Sequence, residues 1–311
     1  MKKIIVLLSI LSIIESCTQN DDTQRLQARE DIKKAKDLLT QAETQARAGD
    51  SNLKKYEEAS VLLTAALEKN NRAADAYALR GWARFKTKQT EEALKDYNKS
   101  LEIDSNTVPA LNGRAALYES QNKYEEALAD YSKAIQILGL DPAPLNNRGI
   151  LKRKMGKPQE AIEDFTKAID LNGQEPLFYF NRANSHIDLK QYEQAKTDYE
   201  KAIGLNKQYA PAYAGRANVQ YQLGKYKEAV QDYNIVINLQ PTNSDAWRNR
   251  GYNKYKLGQN DAALEDLTKA LTIQSGDKLA YQFRSDVFVK MNKTTEAQAD
   301  LQKIDKSKTF E

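Results

Sequence analysis

Two residue types recur along this chain at a spacing that could support chemistry. Arginine stands at Arg80, Arg114, Arg148, Arg182, Arg216, Arg250 and Arg284, and aspartate at Asp96, Asp130, Asp164, Asp198, Asp232, Asp266 and Asp300. Both series step by 34 residues without a gap. Seven guanidinium groups on one face could line a groove for an anionic ligand. Alternatively, each Arg pairs with an Asp across a helix–helix seam, because a guanidinium on a mostly buried seam needs a carboxylate partner. The Asp series tracks the Arg series, which favours the structural pair. The chain has one Cys and one His, so neither an internal disulfide nor a Cys/His zinc site can be assembled. His186 lies four residues after Arg182, where other units hold Arg84, Tyr118, Lys152 or Gln220. It reads as a packing or surface residue, since catalysis needs further groups at short range. With no phosphate loop, paired-carboxylate motif or nucleophile beside a base, the expectation is no enzyme, no cofactor and no metal.

The elements that carry these residues follow from the same period. Self-similarity at 34 residues is the mark of stacked helix pairs. A solenoid grows by adding units, so 311 residues imply one array rather than two domains. The chain is poor in Gly and Pro, at 13 and 7, which favours helix. A net charge of +4 from 47 basic and 43 acidic residues describes a mixed, solvated surface, not a nucleic-acid footprint. Each first helix opens on a bulky residue: Tyr77, Leu111, Leu145, Tyr179, Tyr213, Trp247 or Tyr281. Four residues on, and so on the same face, stands a small one: Gly81, Ala115, Gly149, Ala183, Ala217, Gly251 or Ser285. Turns follow at Asn122, Gly156, Gly224, Gly258 and Asn292, residues that tolerate left-handed backbone. The second helix packs through Ala59, Ala93, Ala127, Ala161, Ala195, Ala229, Ala263 and Ala297. Four residues on it packs again, through Tyr97, Tyr131, Phe165, Tyr199, Tyr233, Leu267 and Leu301. The first unit is irregular: a helix from Leu26 to Ala48, a break at Gly49–Asn52, then a helix from Tyr56, with about five extra residues in the turn. In the last unit Gln298 and Asp305 replace apolar residues, as in a solvent-facing cap.

These residues resemble a tetratricopeptide repeat array. That resemblance implies an all-α fold, a right-handed superhelical solenoid of antiparallel helix pairs. It would hold about seven regular repeats and one irregular N-terminal repeat, over residues 26–306. The chain departs from the family pattern in keeping only Pro241, and in placing Arg and Asp where the family has Leu and an aromatic. In the family, fixed positions of each first helix line the inner face. Carried over, these are Trp82, Phe85, Arg153, Phe180, Asn184, Asn218, Tyr221, Arg248, Tyr252, Tyr255 and Lys256. The stretch from Tyr221 to Lys256 combines aromatics with cations, a surface suited to extended peptides with apolar anchors and acidic groups. The competing reading is that any helical array exposes some Tyr and Lys. The family's carboxylate-gripping groove needs a Lys that this chain lacks at the matching place, although Asn184 and Asn218 fit its Asn place. The partner expected is another protein or peptide segment, with no nucleic acid.

The N-terminus reads separately. Lys2 and Lys3 precede an apolar run from Ile4 to Ile14, too short to span a bilayer, which needs about 20 residues. Ile14-Glu15-Ser16-Cys17 resembles the lipobox of bacterial lipoproteins, with Glu15 as a departure. The expectation is a signal peptide over 1–16, lipidation at Cys17, a polar tether over 17–25 and a short tail over 307–311. An ordinary signal peptide with an incidental Cys is the alternative. Asp21 and Asp22 resemble an acidic surface-export tag, or form a plain solvated linker. The expected function is a lipid-anchored, non-catalytic scaffold in the cell envelope, at the outer membrane rather than the inner, on its periplasmic face or at the cell surface. An assembly factor resembling repeat lipoproteins of pilus biogenesis or outer-membrane insertion is one alternative. A cell-wall or glycan accessory protein is another.

Overall fold

The protein is described by a computed structural model over residues 2–47 and 53–305, with the backbone course alone for 2–21. Among the described residues there are sixteen α-helices and no strands. The chain forms two compact units, Met1–Leu151 and Lys152–Glu311. The first holds α1 (Lys2–Arg47), α2 (Leu53–Lys69), α3 (Ala74–Lys86), α4 (Thr90–Ile103), α5 (Val108–Ser120), α6 (Tyr124–Leu138) and most of α7 (Pro142–Lys154). The second holds α8 (Pro158–Leu171), α9 (Pro176–Asp188), α10 (Tyr192–Leu205), α11 (Ala210–Gln222), α12 (Tyr226–Leu239), α13 (Ser244–Lys256), α14 (Asn260–Ile273), α15 (Lys278–Lys290) and α16 (Thr294–Asp305).

Helices pair in sequence: α1 with α2, α3 with α4 and α5 with α6 in the first unit, then α9 with α10 and so on to α15 with α16. The Ala series makes that pairing possible. Six of its members from Ala93 to Ala263, and Ala59 before them, are fully buried, and Ala297 is 3 % exposed. A methyl-sized side chain lets the backbones approach, and bulkier neighbours fill the space between pairs. In the first unit Leu39, Tyr56 and Leu63 join α1 and α2 to α3. In the second, Tyr199, Tyr213, Tyr233 and Val236 join α10, α11 and α12. The tyrosines reach through gaps left by glycine. A Cβ on Gly113 would lie 2.5 Å from the Tyr97 ring, and one on Gly215 would collide with that of Tyr199.

Each first helix from α3 to α15 is followed by a left-handed residue, and the seven recur at the 34-residue step. Asn122, Gly156, Gly224, Gly258 and Asn292 stand where the turn chemistry places them, with φ from +58° to +77°. Lys88 and Lys190, at φ 64° and 57°, fill the remaining two places, although lysine gains nothing there intrinsically. The bonds that close the turn explain why they hold. The residue after each donates its N–H five residues back, as in Gln89 to Arg84 and Gln191 to His186, each at 2.8 Å.

Three expectations meet the structure differently. Residues 18–25, read as a tether, continue α1, since no Gly or Pro interrupts them. Eight helical residues rise about 12 Å, less than half their extended reach. Leu301, read as a packing residue, is 40 % exposed, because α16 is the last described helix and no further helix covers it. The break at Gly49–Asn52 and the tail at 307–311 lie outside the described residues, as does the Cys17 side chain.

Candidate functional site

The Arg and Asp series meet. Asp96, Asp130, Asp198, Asp232, Asp266 and Asp300 each take two hydrogen bonds from the Arg 16 residues earlier, Nε to one oxygen and Nη2 to the other, at 2.6–2.9 Å. The seven Asp residues are 1–6 % exposed. In five of these units Arg Nη1 reaches a side chain 16 residues before it: Thr64, Asn98, Thr166, Asn234 or Thr268. One arginine therefore ties three helices together. Arg114, Arg182 and Arg216 are held above the ordinary guanidinium pKa, chiefly by these bonds to Asp130, Asp198 and Asp232. Arg148 and Asp164 fall in different units; within their own units Arg148 Nη1 bonds Ser132 at 3.1 Å and Lys152 meets Asp164 at 2.9 Å. Arg84 and Lys254 add a second cation to Asp96 and Asp266, at 2.7 and 2.8 Å. His186 takes that place in its own unit, 3.8 Å from Asp198, with Nδ1 against Gln191. A guanidinium committed on all its donor edges is not a groove cation.

The face of the first helices divides into residues already engaged and residues still open. Arg248, read as a groove cation, is 14 % exposed and lies 2.6 Å from Asp245 and 2.7 Å from Asp277. Phe180, read as a groove aromatic, packs between Tyr199 and Tyr209, at 5.8 and 5.5 Å. Asn184 and Asn218 accept from the buried hydroxyls of Tyr199 and Tyr233. Arg153 bonds Asp188 at 2.6 Å. Arg248, Phe180 and Asn184 are corrections to the groove reading, because internal partners already hold them; Asn218 is held too yet lines the pocket beside Tyr252, and Arg153 stays 40 % exposed.

Trp82 and Phe85 belong to a cluster in the first unit. Their rings are 6.0 Å apart, and Lys86 Nζ stands 4.5 Å from the Trp82 ring centre. Trp82 Nε1, Tyr56 Oη and Lys86 Nζ all converge on Glu43 Oε1 of α1, at 3.0, 2.7 and 3.2 Å. Burial pushes the Glu43 carboxyl up, but the bonds from Tyr56, Lys86 and Trp82 outweigh it and hold the group below its usual 4.5.

Tyr221, Tyr252, Tyr255 and Lys256 form the corresponding cluster of the second unit. Tyr252 stacks on Phe283 at 3.9 Å and stands 5.8 Å from Tyr221 and 5.9 Å from Tyr255. Lys256 Nζ lies 5.0 Å from the Tyr252 ring centre. The neighbouring Tyr252 raises the Lys256 ammonium above its usual range. Burial, then the neighbouring Tyr252, raises the Tyr221 hydroxyl. Beside them opens a pocket of about 320 Å³ lined by Asn218, Tyr221, Gln222, Tyr233, Asn249, Tyr252, Asn253 and Phe283. Gln222, Tyr233, Asn249, Asn253 and Phe283 are the lining residues that the offsets missed; Phe283 comes from the next first helix, two residues past Tyr281. Tyr255 is partly buried against Leu267 and Val287 and serves the core as much as the pocket.

Known proteins place this arrangement. The profile described as tetratricopeptide repeat matches residues 74–107, 108–138, 142–174, 176–209 and 244–277, and the one described as TPR repeat matches 217–258. No curated protein matches in sequence. Among solved structures, PilF of Pseudomonas aeruginosa is similar at TM-score 0.61 and 22% identity, over 70% of this chain and 98% of that one. PilW, titled a widely conserved type IV pilus biogenesis factor, is similar at TM-score 0.59 and 17% identity, over 64% and 92%. A chain of the APC/C hetero-tetramer Cut9-Hcn1 is similar at TM-score 0.61 and 16% identity, over 76% of this chain; this chain spans 48% of that one. At these identities the likeness concerns the fold.

Proposed function

The chain belongs to the tetratricopeptide repeat family, and on that premise we propose that it is a non-catalytic scaffold whose second-unit pocket binds a segment of another protein. Repeats of this family imply protein–protein interaction in general. The observation that carries the more specific reading is the cluster of Tyr221, Tyr252 and Phe283 around an open pocket of about 320 Å³. Rigid aromatics lose little entropy on binding and dominate interface energetics. The other aromatic groups on this helix face, Trp82 and Phe180, are held by internal partners.

We further propose lipid anchoring at Cys17 in a bacterial cell envelope, at the outer membrane. The run from Ile4 to Ile14 and the Ile14-Glu15-Ser16-Cys17 sequence support that reading. Fatty-acid labelling tests the anchor: label is expected on the native chain and absent from Cys17→Ser. Partner capture from membranes tests the pocket. Tyr221→Ala with Tyr252→Ala should weaken capture about thirtyfold, the equivalent of roughly 2 kcal/mol. Lys227→Ala with Glu228→Ala, on the exposed start of α12, should leave it intact. Equal loss from both pairs would place the partner elsewhere.

A further inference from the structure

The two aromatic clusters occupy the same places in the repeat. Trp82, Phe85 and Lys86 correspond to Tyr252, Tyr255 and Lys256 five repeats later, and Tyr56 corresponds to Tyr226. With about five extra residues in the first turn, Glu43 takes the place of Asn218. In the first unit three donors close on the Glu43 carboxylate. In the second, the amide of Asn218 is turned to Tyr233, and among the described residues the cation of Lys256 meets only tyrosines. Tyr221 and Lys256 thus flank the Tyr252 ring, at 5.8 and 5.0 Å, with no carboxylate bonded to them among the described residues.

A second observation points the same way. Asn253 lines the pocket and is 3 % exposed, yet its Oδ1 has no hydrogen-bond partner among the described residues. Its amide nitrogen is held by the Asn249 carbonyl at 2.8 Å, so the oxygen cannot exchange places with it. A buried acceptor left unpaired is destabilising, and a donor from a ligand relieves it. A helix has few free amide N–H groups; an extended segment offers them along its length.

From these residues we infer that the pocket takes an acidic side chain from an extended segment of another protein. Its carboxylate is gripped by Lys256 and Tyr252, as Glu43 is gripped by Lys86 and Trp82, and a backbone N–H of the segment donates to Asn253. This rests on the scaffold reading above and names the chemistry of its partner.

The test uses the full chain and two blocked pentapeptides, Ala-Leu-Glu-Leu-Ala and its Gln counterpart, titrated by NMR. The Glu peptide should bind about tenfold more tightly than the Gln peptide, the measure of a charge-assisted hydrogen bond over a neutral one. Lys256→Met should abolish that preference and Tyr252→Phe should reduce it, both keeping the side-chain volume and leaving the melting curve unchanged. Equal binding of the two peptides, no binding of either at millimolar concentration, or a preference that survives Lys256→Met would overturn the inference. The scaffold reading fails separately, if the Tyr221→Ala, Tyr252→Ala chain still captures its partner from membranes.

Discussion

The Trp82 cluster and the Tyr252 cluster are built on one plan and end differently. Both place two aromatics and a lysine on the last turns of a first helix, above an Arg–Asp pair that fixes the helix. In the first unit α1 contributes Glu43, and the cluster becomes part of the fold. In the second, Asn218 stands instead, Tyr252 stacks outward on Phe283, and a pocket remains. One carboxylate separates the closed cluster from the open one. The same repeat position is therefore closed or left open by what a neighbouring helix supplies.

Removing the shared frame should have the largest effect. Arg216→Ala leaves Asp232, 3 % exposed, with no cation, and should cost about 3–5 kcal/mol in denaturant unfolding. Arg250→Ala, beneath the open cluster, should cost less, because Lys254 still meets Asp266 at 2.8 Å. Equal losses would mean that the second cation does not share the charge.

Opening the closed cluster comes next. Glu43→Gln should destabilise the docking of α1 by about 1 kcal/mol at neutral pH, allowing for solvent screening of a carboxylate one-third exposed. The folded carboxyl titrates below its unfolded value of 4.5. The stability it contributes is therefore present above pH 4.5 and is lost as pH falls through the lower folded value. Native and Glu43→Gln melting curves should converge on acidification and stay apart at pH 7.

The smallest effect sharpens the match between the clusters. The helix of the first ends on Lys88 and that of the second on Gly258, both left-handed. Lys88→Gly should raise stability by somewhat under 1 kcal/mol, by removing the Cβ penalty at that φ. Loss of stability instead would show that the lysine side chain holds the turn.

Much of this was legible in the residues themselves. A gapless period carries the helix pairs, the Ala contacts and the Arg–Asp spacing, because each unit repeats the same local problem of burying one face. Lys88 and Lys190 were not legible by type, only by lying whole periods from Gly156. Arg248 and Phe180 looked free because Asp277 and Tyr209 lie 29 residues beyond each. Glu43 was hidden for another reason: the irregular first turn shifts it out of register with Asn218. Pairing that crosses an insertion cannot be read from a period.

The contrast between the clusters is tested most directly by photo-crosslinking in cells. A benzophenone amino acid placed at Tyr252, at Trp82 or at Lys227 reports which surface a partner touches. The account predicts a crosslinked protein adduct from position 252 and none from 82 or 227. An adduct from 82 or 227 with none from 252 would contradict it.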